Sequence, residues 1–249
     1  MKVKELLSFL YGIAPEDLKE EYDNVGLLVG DENAEISGVL VALDCFSEVL
    51  SRAEELNANV IITHHPVIFN PLKSVTEQNL VYKLIKKGIS VISMHTNLDK
   101  AEGGVNDALC SKLGLIDIKT IAAYDGFPIR IGKLQSAKEP HSFAESIKQA
   151  LGGSVKFVAG NRDIVSVAVC SGSGGDFIYD ALNNGADALV TADIKHHLFI
   201  EAGEQDISLY DAGHFNTEDV IIKPLSKRIR DAFHNLPVFE CHLSKIESI

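Results

Sequence analysis

Leu6, Leu7 and Leu10 fall on one face at helical spacing, with Gly12 as the expected stop, so the chain opens with an amphipathic helix. Beyond it, short apolar β-rich runs alternate with segments of helical period. Residues 39–43 read as a strand, 47–56 as a helix, 59–63 as a strand, 78–87 as a helix closed by Gly88, and 89–94 as a strand. Strand–helix–strand order needs crossover connections, and therefore a largely parallel sheet with helices packed on it.

The second half echoes the first. A strand at 165–169 precedes a helix at 177–183, and a strand at 188–191 leads into His196-His197 as the strand at 59–63 leads into His64-His65. After the strand at 89–94 comes His95-x-Asn97-x-Asp99, and after a strand at 207–210 comes His214-x-Asn216-x-Glu218. The expected architecture is α/β, with two similar α/β lobes built on mostly parallel sheets. Residues 1–124 form the first lobe, with 220–249 packing back on it, and 125–219 form the second. Ser142 and Glu145 stand at capping-box spacing and open a helix running to about residue 150.

Composition narrows the class. With 249 residues, 46% of them hydrophobic and 23% charged, the chain can bury a full core. Its apolar runs reach only about six residues against the roughly 20 of a membrane span. Lys2, Lys4 and Glu5 interrupt any signal peptide, so a soluble cytoplasmic protein with no membrane partner is expected. The net charge of -12 repels nucleic acid at long range, although residues 126–165 carry +3 against -15 for the rest. Cys45, Cys110, Cys170 and Cys241 are scattered, which suits reduced thiols and not a disulfide framework.

Candidate chemistry collects at strand ends. In parallel sheets, ligands sit past the carboxyl edge, where loops and helix N-termini converge. His64, His65, His95, Asp99, His214 and Glu218 all fall there, as a candidate metal cluster. Adjacent strand residues point to opposite faces. Either the backbone turns at His64-His65 or the two serve different ions. Imidazole suits zinc, iron, manganese or nickel, and carboxylates such as Asp99 and Glu218 can bridge two centres, so two divalent ions per subunit are expected. Two such ions outweigh two carboxylates, leaving a positive pocket for an anionic small molecule or nucleotide and a site for hydrolysis. The loop Ser171-Gly172-Ser173-Gly174-Gly175 follows a strand and offers backbone N–H groups to a phosphate, or forms a plain tight turn. His196 and His197 are phosphate donors, proton shuttles or remnants of duplication, and Asp23-Asn24-Val25-Gly26 is a turn.

Six segments in order carry a resemblance: 21–30 (EYDNVGLLVG), 63–66 (THHP), 95–99 (HTNLD), 171–174 (SGSG), 191–197 (TADIKHH) and 213–218 (GHFNTE). With these the chain resembles the GTP cyclohydrolase 1 type 2 homologues, also called NIF-three-like proteins, along essentially its whole length. Tyr22 stands where that family usually has Trp. The resemblance implies that His64, His65, Asp99, His214 and Glu218 bind a pair of divalent metals between the lobes, with Glu218 shared. It places His95 beside them as a catalytic proton carrier, with Asn24, Ser171, Gly172, Gly174, His196 and His197 toward the substrate. It further implies a toroidal homohexamer. The expected function is metal-dependent hydrolysis of a nucleotide or other phosphorylated compound. The alternative is a non-catalytic hexameric ring that binds single- or double-stranded DNA or a regulatory protein partner.

Overall fold

A computed structural model describes residues 1–246; the last three residues of the expected 220–249 segment lie outside the described residues. In chain order the strands are β1 (Gly26–Val29), β2 (Val39–Ala42), β3 (Val60–Thr63), β4 (Ser90–Ser93), β5 (Ile116–Ala122), β6 (Pro128–Lys138), β7 (Lys156–Val158), β8 (Ile164–Val169), β9 (Ala188–Thr191), β10 (Ser208–Asp211) and β11 (Val238–Cys241). They fall into two units, residues 1–102 with 222–245, and residues 103–221. The first boundary lies at 102/103 and not near 124. The reason is that β5, expected in the first lobe, pairs along its length with β6.

The first unit holds a five-stranded sheet in the order β1-β4-β3-β2-β11. β4, β3, β2 and β11 run parallel, and β1 lies antiparallel on β4. Every residue of β2, β3 and β4 is buried, which is why they read as continuous apolar runs. Leu40, Ile61 and Val91 pack with Val49, Leu50 and Leu84. The helix Ile222–Ala232 packs against β2 and β11. The opening helix spans Val3–Ile13 and buries Val3, Leu6 and Leu10; Gly12 lies inside its last turn instead of ending it.

The second unit holds a six-stranded sheet in the order β5-β6-β8-β9-β10-β7. Only β8, β9 and β10 are mutually parallel, so this sheet is mixed and not mostly parallel. The antiparallel pair β5–β6 escaped the sequence reading because β5 is largely exposed and offers no buried run. The echo is real at the level of strands: β2-β3-β4 and β8-β9-β10 are each three adjacent parallel strands joined through helices, with an antiparallel strand on the third. The helix Pro140–Leu151 does not use the expected capping box. Glu139 is its N-cap and accepts from Ser142 N, so Ser142 receives the cap instead of supplying it.

The basic stretch is internally matched. Arg130 is buried against Asp107, with two contacts of 2.9 and 3.0 Å. Lys156 lies 3.6 Å from Asp211, and Arg162 pairs with Asp187 at 3.5 Å and Asp206 at 3.4 Å. Arg130, Lys156 and Arg162 of this stretch are therefore answered by acids of their own unit. Among the described residues no helix is long and apolar enough to cross a membrane.

Candidate metal centre

β3 ends at Thr63, and the chain then turns. The Thr63 hydroxyl donates to the His65 carbonyl at 2.8 Å, while His64 and His65 N–H groups still donate to Ala42 and Leu43 carbonyls. The strand alternation is broken there, and the two adjacent rings approach to 5.1 Å between centroids. His95, just past β4, brings its ring to 5.2 Å from His64 and 5.6 Å from His65. One ring nitrogen from each of the three lies within 4.8 Å of the others. The backbone therefore turns at His64-His65, as the first of the two expected alternatives has it.

Each of these imidazoles is held at its other nitrogen. Nδ1 lies 2.8 Å from an oxygen in all three: the Met94 carbonyl for His64, Asp44 Oδ1 for His65 and Asp23 Oδ1 for His95. These oxygens only accept, so Nδ1 carries the proton and Nε2 presents its lone pair in the neutral ring. That is how proteins orient histidine ligands. Asp23 is buried and also accepts from the Thr96 N–H and hydroxyl. Burial would raise its pKa, yet the bonds from His95 and Thr96 and the charge of His95 outweigh it and hold the carboxyl well below its usual range. Asp99, buried on the helix Thr96–Lys100, places Oδ1 3.5 Å from His64 Nε2.

The second unit supplies its own pair. After β10, Gly213 at φ 85° leads into the helix His214–Glu218. His214 Nδ1 lies 2.6 Å from Asp193 Oδ2, and its Nε2 lies 3.0 Å from the buried Glu218 Oε2. The hydrogen bond to Glu218 raises His214; burial opposes it, and the charges of Glu218 and Asp193 add to it, for a pKa of about 9. Two carboxylates around one ring make a place that calls for a cation, and in the metal-free protein a proton fills it.

The loop after β8 braces this pair. Ser171 N–H donates to Asn106, Gly172 N–H to the Thr217 hydroxyl and Gly174 N–H to the Thr191 hydroxyl, at 2.8, 3.0 and 2.8 Å. Those three donors are spent within the unit, as in the plain tight turn that was the other expected form of this loop. Gly172 has φ +60°, and a Cβ there would come within 2.2 Å of Glu218 Oε1, so glycine is what lets the carboxylate lie against the loop. Asn24 is likewise committed, its side-chain amide donating to the Ile68 carbonyl at 2.6 Å.

His196 and His197 are the first two residues of the helix His196–Glu204, and both are exposed. They are not the counterparts of His64 and His65. Thr63 and Thr191 both end their strands, so Ala192 and Asp193 hold the equivalent places. Asp23, Asp44 and Asp193 were missed as site residues. Asp44 and Asp193 lie just past the ends of β2 and β9, so the strand-end rule that collected the histidines also points to them. The donor set of imidazoles and carboxylates, each ring fixed from behind, fits zinc, iron, manganese or nickel.

The profile of the Duf34/NIF3 (NGG1p interacting factor 3) family matches residues 1–248. The GTP cyclohydrolase 1 type 2 homolog of Clostridium acetobutylicum is 35% identical over 250 residues, covering 96% of this chain and 93% of its own length. The crystal structure of a Staphylococcus aureus hypothetical protein superposes with a TM-score of 0.93 at 32% identity, covering 100% of this chain and 99% of its own. That of a Bacillus cereus protein related to NIF3 gives 0.90 at 26% identity, with the same coverage.

Proposed function

This chain belongs to the Duf34/NIF3 family, and on that premise we propose that it is a dinuclear divalent-metal protein that hydrolyses a nucleotide or another phosphorylated compound. His64, His65 and Asp99 of the first unit, with His214 and Glu218 of the second, are the proposed ligands of two ions per subunit, Glu218 being shared. A ring-shaped homohexamer in the cytoplasm is the proposed setting. One observation carries the reading: His64, His65 and His214 each tie Nδ1 to an oxygen acceptor, which supports Nε2 as their ligand atom, and His95, held in the same way, keeps Nε2 for proton transfer.

When bound, a pair of divalent ions supplies water acidified toward neutral pH and an electrophile for substrate oxygens. The chain's own residues do the rest. Asp23 fixes His95 so that its Nε2 accepts a proton from the attacking water and returns one to the leaving nitrogen or oxygen. The relatives' name, GTP cyclohydrolase 1 type 2 homolog, points to ring opening of a guanine nucleotide as the first reaction to try. The DNA-binding alternative loses support from the internal pairing of Arg130, Lys156 and Arg162.

The test is metal-loaded protein with GTP, followed for formate, the product of ring opening, and for phosphate, the product of ester hydrolysis. Release of either, abolished by Glu218→Gln together with both ions, is expected. GTP left intact with zinc, iron, manganese and nickel in turn would sink GTP as the substrate, and stepwise loss of single ions would sink the shared carboxylate.

A further inference from the structure

Beside the histidine cluster of the first unit stand two aromatic rings that the chemistry above does not use. Tyr22 is 68% exposed and Phe69 is 46% exposed, although both carry large apolar surface. Their centroids are 6.4 Å apart with planes tilted 57°, and Phe69 in turn stands edge-on to His95 at 6.3 Å. We propose that Tyr22 and Phe69 form a stacking wall for the base of a nucleotide, so that the ligand is read by its planar ring as well as by its phosphate. This rests on the reading of the adjacent histidines as a metal site that attracts an anion.

The wall is built and not incidental. Single exposed aromatics need no explanation. Here three consecutive residues divide one task. Tyr22 supplies a face, and Asp23 fixes the His95 ring through Nδ1. Asn24 fastens the Ile68 carbonyl, next to Phe69, while its own N–H donates to Asp23 at 2.8 Å. The backbone that carries Phe69 and the imidazole that faces it are therefore fixed by the segment that carries Tyr22. A heteroaromatic base gains from such faces whatever its identity, because stacking needs only a π surface. A sugar phosphate lacking the base gains nothing from them.

The chain contains no tryptophan, so Tyr22→Trp places the sole indole on the wall. GMP and ribose 5-phosphate share the phosphate and differ in the base, and both are titrated into zinc- or manganese-loaded protein. GMP should quench the indole saturably and ribose 5-phosphate should not. By calorimetry on the unaltered protein, GMP should bind roughly 5- to 150-fold more tightly, the range that one stacked base supplies. Tyr22→Ala and Phe69→Ala should bring GMP down toward ribose 5-phosphate without altering the latter, and Tyr22→Phe should keep the preference. Metal content serves as the check that the site is intact. Equal affinities without quenching overturn the wall and leave the anion-binding metal site standing. A GMP preference that survives both alanine variants also overturns the wall. Failure of both ligands to bind metal-loaded protein overturns the wall and the nucleotide reading together.

Discussion

At the scale of single residues, the site is governed by what stands behind each imidazole. Asp44→Asn keeps the shape of the side chain but weakens its grip on His65 Nδ1. Metal affinity should fall about 10- to 100-fold, as it does when such supporting carboxylates are lost, and competition with a chelating dye measures it. His214 gives a pH prediction for the metal-free protein. Its pKa rises from 6.5 to about 9 on folding, so the protonated ring contributes stability that is fully present below pH 6.5 and lost as pH climbs through 9. Melting temperatures of chelator-treated protein should decline across that window, and His214→Gln should flatten the decline. Histidines were the conspicuous part of this site in the sequence because the type is rare and its placement past strands is informative. Asp23, Asp44 and Asp193 were hidden among 35 acidic residues, most of them ordinary surface charges.

At the scale of elements, burial decided what could be read. β2 to β4 and β8 to β10 are mostly buried and came within a residue or two of their expected limits. β1 and the β5–β6 pair, half-exposed or irregular in register, did not announce themselves. The helix Pro140–Leu151 shows how packing completes what propensity begins. Phe143 on that helix is fully buried and meets the Tyr210 ring edge-on at 5.3 Å, and the Tyr210 hydroxyl donates to the Pro140 carbonyl at 2.9 Å. Phe143→Ala should cost about 3–5 kcal/mol through the cavity it leaves. Tyr210→Phe, which removes one hydrogen bond and keeps the ring, should cost about 1 kcal/mol. Urea denaturation of both variants tests the ordering; equal losses would contradict it.

At the scale of the whole molecule, the paired α/β design was visible because the strand–helix alternation and the His-x-Asn-x-acid segments recur. The mixed pairing of the second sheet was not, since strand direction leaves no mark on a short apolar run. The matched cations of residues 126–165 bear on how ligands arrive. With Arg130, Lys156 and Arg162 answered by neighbouring acids, the exterior keeps the full weight of a -12 chain. An anion therefore approaches against a repulsive far field and is drawn in only within the roughly 10 Å over which a loaded site is felt at 0.1 M salt. Stopped-flow association of GMP with the metal-loaded Tyr22→Trp protein should accelerate as salt is added, the reverse of what a polyanion-binding surface would give. A rate that falls with salt would mean that positive potential reaches outward after all, and that capture begins well before contact.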